Sequence, residues 1–257
     1  VMRFRLLRIG AGLILPLAVL LVWWLGTEQG WLNTRVYSSP RLIWAAAATL
    51  WEQGLLQQHL LVSLQRAGAG FVIGSVLGIA LGVLSGFFRP VELLIDPSVQ
   101  LFRAIPLTIV LPLFIVWFGF GELPRLLLII LVIVPNLYID TYSGLRNVDK
   151  KLLEVGRVFG LPRAQVIFGV IIPAALPFIF NGLRKASIYA FIMLVFAETL
   201  NASSGLGYLA AQAMQFVRMD VLFLVVFIYA ILGISADGLV RGIEKLATPW
   251  RGKKAVR

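Results

Sequence analysis

The 257-residue sequence contains no cysteine, one histidine and only 14% charged residues. The missing cysteines exclude disulfides, thiolate metal sites and thiol catalysis. His59, in QQHLLVS, has no second ligand at metal spacing and reads as a helix-end residue at a membrane interface. A soluble domain carries roughly a quarter charged residues; this chain has far fewer, while 60% of it is hydrophobic. Water cannot be the solvent for that much apolar surface, so the natural solvent is a bilayer, crossed by runs of ~20 apolar residues. There is no paired-carboxylate, Ser-His or metal-ligand set on which an enzyme could be built. There is also no linker, low-complexity segment, internal repeat or second, soluble domain.

What is present is a series of apolar runs. Six spans can be drawn, near Ile9–Leu25, Leu60–Phe88, Pro97–Phe118, Leu123–Tyr142, Ala186–Leu200 and Val221–Val240. The first follows a basic start, MRFRLLR, and ends at Trp23 and Trp24; it is longer than a signal-peptide core and reads as a retained span. Between the first two spans, Ser39-Pro40 is a helix start with proline preset for the first turn. RLIWAAAATLWEQGLL then fits a helix at the interface, anchored by Trp44 and Trp51. The chain therefore divides into residues 1–59 (first span and interfacial helix), a core over 60–245, and a basic tail over 246–257.

The formal charge of +11 matters less than its placement. The N-terminus, the loops near 89, 146–163 and 184–185, and the C-terminal end hold 17 of the 23 Lys and Arg. The opposite side has Arg35, Arg41, Arg66, Arg125 and Arg218, with Arg103 just inside a span. An even number of crossings with this bias places both termini in the cytoplasm.

Within the second span, glycines at 70, 74, 78, 82 and 86 fall four apart. On a helix that spacing makes a groove bare of side chains, into which another helix can pack closely. Spans three and four carry Pro97, Pro106, Pro112, Pro124 and Pro135, each removing a backbone donor and disfavouring straight helix.

The most polar stretch on the basic side is LEVGRVFGLPRAQVIFGVIIP, residues 153–173. Asn147 or Asp149 can cap a helix that places Leu152, Val155 or Gly156, and Phe159 on one face, with Lys151, Glu154 and Arg157 largely opposite. Gly160 ends that helix and Pro162 begins the next, which runs to Pro173; Pro177 disturbs the chain beyond it. A DNA-reading helix-turn-helix needs a polar recognition helix, and QVIFGVII has nothing to read bases with. A passive amphipathic loop on the membrane surface and a docking knuckle for a cytoplasmic protein both fit the pattern.

From Glu154 the spacing resembles the EAA loop of ABC-importer permeases: Glu-Ala-Ala, three residues, Gly, nine residues, Ile, one residue, Leu-Pro. Glu154, Gly160 and Pro173 match; Val170 and Ile172 are conservative changes, and Val155 and Gly156 replace the two alanines. RAIPLTIVLPLFIVWFGFGELPRLLLI, VIIPAALPFIFNGLRKA and AETLNASSGLGYLAAQA are similar to the permeases of the sulfonate, taurine, nitrate and bicarbonate importers, those for aliphatic sulfonates and taurine above all.

The resemblance implies an all-α polytopic membrane protein of the type I importer fold, in a bacterial inner membrane. It implies a homodimer with two ATPase subunits below and a periplasmic binding protein above, passing a small anion by alternating access, with no role for nucleic acid. No phosphate-cradling G-x-x-x-x-G-K-S/T run occurs in this chain, so ATP and Mg belong to the partner ATPase. A coupling loop at 147–177 would then use Glu154, Gly156, Arg157, Gly160, Leu161, Pro162 and Pro173. Glu154 would pair with a basic ATPase residue or cap its own loop; Gly160 would permit the corner and a close approach, and Pro173 would fix the exit.

Polar residues within spans are costly and mark solute paths; the candidates are Arg103, Asn136, Asp140, Ser187 and Glu198. Arg103 lies close enough to a span end to snorkel instead. The resemblance puts Glu198 and Asn201 near the outer mouth, although they could equally satisfy backbone at a helix end. The alternative function is a stand-alone secondary transporter; such carriers keep buried carboxylates and internal repeats, and neither is evident.

Overall fold

Apolar runs fold as helices in a bilayer because every backbone N–H and C=O must find its partner inside the segment. The computed structural model describes residues 2–250, with the side chains of residues 2–13, Lys150, Leu153, Val155, Arg157 and Asn201 outside that description. Helix α1 (Met2–Glu28) leads to α2 (Pro40–Glu52), where Ser39 accepts from the Leu42 N–H and Pro40 occupies the first turn. Helix α3 (Leu55–Phe87) is followed by α4 (Arg89–Ala104), α5 (Leu107–Phe118) and α6 (Glu122–Arg146). Short helices α7 (Lys150–Val158) and α8 (Arg163–Val166) form a corner, and a π-turn (Ile167–Ile171) joins α8 to α9 (Ile172–Asn201). Helices α10 (Leu206–Gln215) and α11 (Met219–Ala247) complete the described chain.

Among the described residues four stretches are long and apolar enough to cross a membrane: α3, α6, α8 with α9, and α11; the apolar part of the first expected span, Ile14–Glu28, is shorter. The third of the six spans expected from sequence differs in shape. Instead of one helix over Pro97–Phe118 it is a pair, α4 and α5, bent by 100°. The bend falls at Ile105-Pro106, both extended, because proline cannot donate and forces its predecessor out of the helical region. Pro97, Pro112 and Pro135 lie within unbroken helices and Pro124 in the first turn of α6. Of the five prolines, only Pro106 breaks a span.

The bundle is organised around α6. Along α3, Gly70, Gly74, Gly78, Gly82 and Gly86 face Ile129, Ile133, Leu137, Thr141 and Leu145 of α6 in turn. Both series step by four in the same direction, so the two helices run parallel and in register. On the other flank Gly144 of α6 lies against Phe178, and Gly182 of α9 against Leu137 and Asp140, an antiparallel pairing. Small residues on both flanks bring backbones close where dispersion, rather than water exclusion, holds helices together. Ile129, Ile133, Leu137, Ala186, Ala190 and Leu194 fill the space between.

A second core joins α2, α10 and α11 through Ile43, Ala46, Leu209, Ala213 and Val225. Helix α1 attaches to α11 through Trp23, whose ring stacks on Phe223 at 6.1 Å and tilts against Phe227 at 5.8 Å. Helix α4 attaches to α6 by polar contacts: Glu92 accepts from the Tyr142 hydroxyl at 2.6 Å and pairs with Arg146.

Candidate functional site

The corner at the C-terminal end of α6 is built locally. Asp149 caps α7, its carboxylate accepting from the Lys151 N–H at 2.9 Å. At the far end Gly160 adopts φ +65°, a left-handed conformation that suits glycine. The Leu161 N–H then reaches back to the Gly156 carbonyl at 3.0 Å. Pro162 follows as the extended N-cap of α8, and its carbonyl accepts from the Val166 N–H at 3.2 Å. Gly156 is buried, and a methyl group there would lie 3.3 Å from Val166, so α7 and α8 close on each other at that residue. Nothing lies within 4 Å of a methyl group built at Gly160, so close approach inside the chain belongs to Gly156.

Pro173 does not end a helix. It occupies the first turn of α9, directly after the π-turn, in which the Ile172 N–H donates to the Ile167 carbonyl. One extra residue in the turn shifts the bonding pattern and lets the chain run from α8 through Pro173 and Pro177 without a break. Val158, Phe159, Leu161 and Phe168 are exposed at the corner, as are the charged Lys151, Glu154 and Arg163. Phe159 therefore faces outward rather than into the bundle. The Arg157 side chain lies outside the described residues.

At the opposite end of α6 a polar knot joins α3, α6, α9 and the turn before α10. Glu198 is 0% exposed. Its oxygens accept from Ser63 Oγ at 2.8 and 2.9 Å, Arg66 Nη1 at 2.8 Å and the Gly207 N–H at 2.8 Å, with the Tyr229 hydroxyl at 3.4 Å. Arg66 also donates to the Ser204 carbonyl at 2.6 Å, and Ser63 Oγ accepts from the Leu206 N–H at 2.7 Å. His59, in the first turns of α3, is buried, and its Nδ1 accepts from the Gly205 N–H at 3.0 Å. Arg66 further grips Glu122 with Nε and Nη2, both at 2.6 Å, and Arg125 Nη1 reaches Glu122 at 2.7 Å. Arg66 and Arg125 are thus buried partners, not charges of an outer loop.

The other residues proposed for a solute path do not converge on one cavity. Arg103 is exposed at the end of α4, with Gln100 at 3.5 Å. The Asn136 amide donates to the Val132 carbonyl of its own helix at 2.7 Å. Asp140 pairs with Lys185 at 2.7 Å, and buried Ser187 donates to the Arg184 carbonyl at 2.8 Å. The Asn201 side chain lies outside the described residues. Among the described residues no three His, Asp or Glu side chains come together to hold a metal.

Residues 74–248 match the family of binding-protein-dependent transport system inner membrane components. The chain belongs to that family. A relative in Bacillus subtilis (strain 168), an aliphatic sulfonates transport permease by name, is 40% identical over 93% of this chain and 87% of its own length. The corresponding protein of Escherichia coli (strain K12) is 41% identical over 92% and 90%, and the taurine transport permease of that strain 31% over 92% and 88%. Among solved structures, an amino acid ABC transporter superposes with a TM-score of 0.65 at 18% identity, over 77% of this chain and 97% of that one. The inward-facing methionine transporter MetNI gives 0.52 at 24%, over 80% and 99%. The permease is thus a transport subunit of an ABC importer in the inner membrane, with the fold of that class, and not an enzyme.

Of the knot, the sequence singled out Glu198 but not Ser63, Arg66 or Glu122. The knot's signal was Arg66, well inside an apolar run: a charge at membrane depth is costly unless another charge meets it, and that alone asks for a buried carboxylate.

Proposed function

We propose that this permease passes a small anion, of the aliphatic sulfonate or taurine class, from a binding protein outside the membrane to the cytoplasm. The substrate class rests on the names of relatives about 40% identical over nearly the whole chain. The coupling role rests on one observation, the folded corner at α7 and α8, which turns Val158, Phe159 and Phe168 outward beside the acidic Glu154. An exposed apolar knuckle with a fixed charge at its edge suits the cleft of a partner better than open cytoplasm. Two copies of the permease, with both termini in the cytoplasm, set two such knuckles on two ATPase subunits. ATP and Mg act on those subunits; their closure draws the corners together and rocks the bundles from inward-open to outward-open. Glu154 pairs with a cation on the ATPase, and Gly160 and Pro162 hold the corner's shape.

The test is a tagged pull-down from native membranes in mild detergent, with ATP hydrolysis measured and co-purifying subunits identified. An ATPase should come down with the intact chain and be lost when residues 153–173 are replaced. Gly160→Asp is the sharper variant, because aspartate tolerates left-handed backbone better than most residues yet places a charge at the knuckle. It should insert normally and lose the ATPase. A chain that comes down alone under several gentle conditions would overturn the docking role of the corner.

A further inference from the structure

The two carboxylates of the buried knot are not equivalent. Glu198 has no exposed surface and is fixed by Ser63, Arg66 and the Gly207 N–H. The Glu122 side chain is 56% exposed, although both guanidinium groups it bridges are sealed in, at 5% for Arg66 and 7% for Arg125. Its oxygens meet both guanidinium groups while more than half of its side chain stays accessible. Exposure lets Glu122 exchange its protein partners for water, an exchange closed to the enclosed Glu198. We infer that Arg66 and Arg125 form an anion site for a monovalent sulfonate or carboxylate, and that Glu122 is a displaceable lid carrying the same chemistry as the guest.

Three features support exchange. The first is charge. Arg66, Arg125, Glu122 and Glu198 sum to zero, so withdrawal of Glu122 leaves a single positive charge, which one monoanion restores. The second is shape. Arg66 presents Nε and Nη2 side by side, and two oxygens of a sulfonate span that fork as the two carboxylate oxygens do. The third is the backbone. Glu122 is the first residue of α6, and three residues earlier Gly119 turns the chain at φ +76°. The lid thus hangs from a glycine turn rather than from the middle of a helix. The N-terminus of α6 favours negative charge whichever anion occupies the place. This site lies at the end of the bundle away from α7 and α8, where a solute would arrive, and it rests on the reading of the chain as an anion importer.

The test uses the purified full-length chain in detergent at fixed ionic strength, titrated with ethanesulfonate, with dimethyl sulfone as the uncharged control. If the open site is populated about a tenth of the time, Glu122→Gln should bind ethanesulfonate roughly tenfold more tightly than the unaltered chain. Arg125→Gln should lose that binding, and the sulfone should bind neither. Because Glu122→Gln leaves a buried charge uncompensated, Glu122→Asp provides a second arm. It keeps the charge on a shorter reach and should give an intermediate gain. Equal affinities in the unaltered chain, Glu122→Gln and Glu122→Asp, or equal binding of the sulfone, would overturn the site. Co-purification of the ATPase is independent of this titration, so an importer without such a site and a site on something other than an importer give different results.

Discussion

Gly82 and Thr141 stand so close that a methyl group on Gly82 would lie 2.6 Å from Thr141 Cβ and 2.8 Å from the Tyr138 carbonyl. One of those neighbours is backbone and cannot rotate away. Gly82→Ala must therefore push α3 from α6, at a cost of about 1–3 kcal/mol for overpacking. Gly68→Ala is the matched control on the same helix, because nothing lies within 4 Å of its added methyl. Thermal unfolding in one detergent should show a lowered midpoint for Gly82→Ala and an unchanged or raised one for Gly68→Ala. Equal midpoints would mean that the two helices are not held by this contact.

The knot at the other end of α6 predicts strong coupling between Arg66 and Glu198. Arg66→Met strands a carboxylate with no solvent exposure, and breaking a buried pair from one side costs ~3–5 kcal/mol. Glu198→Gln added to Arg66→Met removes the stranded charge while keeping an acceptor for the Gly207 N–H. The double variant should therefore unfold at a higher temperature than Arg66→Met alone. Additive losses in a double-mutant cycle would show that the two charges do not depend on each other.

The parts of this fold legible in the sequence are those governed by local chemistry. The glycine spacing in α3 is a local pattern even though its partner is α6. The Ser39-Pro40 helix start and the Asp149 cap act within a few residues of their own position. So does the corner at Gly160, whose left-handed backbone is a property of that residue. What stayed hidden depends on distant neighbours. Arg66 looks like a loop cation until Glu122 and Glu198 are brought to it from two other helices. Pro97 and Pro106 are the same residue type in the same apolar run, yet one is absorbed in α4 and the other bends the chain by 100°. Pro173 reads as a stop, and only the π-turn before it shows how the helix continues.

The corner itself can be tested by backbone preference alone, since a side chain at Gly160 meets nothing within 4 Å. A left-handed conformation costs an ordinary L-residue roughly 1–2 kcal/mol, less for asparagine and more for a β-branched residue. Gly160→Asn should leave the corner folded, and Gly160→Val should open it. Limited proteolysis of the chain in detergent should cut near residue 160 faster in the valine variant only. Equal cleavage of both variants would show that the turn is held by something other than its backbone geometry.

The π-turn gives the last prediction. Its single extra residue sets the rotation of α7 and α8 about the axis of α9. Each helical residue turns the chain by roughly 100°, so deleting one residue should swing the corner by that angle while leaving α9 and the bundle intact. Gly169 is the residue to delete, because it lies inside the turn and a methyl group built on it would meet nothing within 4 Å. Helicity and unfolding midpoint should stay at their original values, since α3, α6 and α9 keep their glycine contacts. Association with the ATPase should fall sharply, because Phe159 and Glu154 would point away from the cleft they are proposed to enter. A deletion that keeps both stability and ATPase binding would show that the angle of the corner is not what the partner reads. A deletion that destabilises the bundle would show instead that the turn is part of the packing.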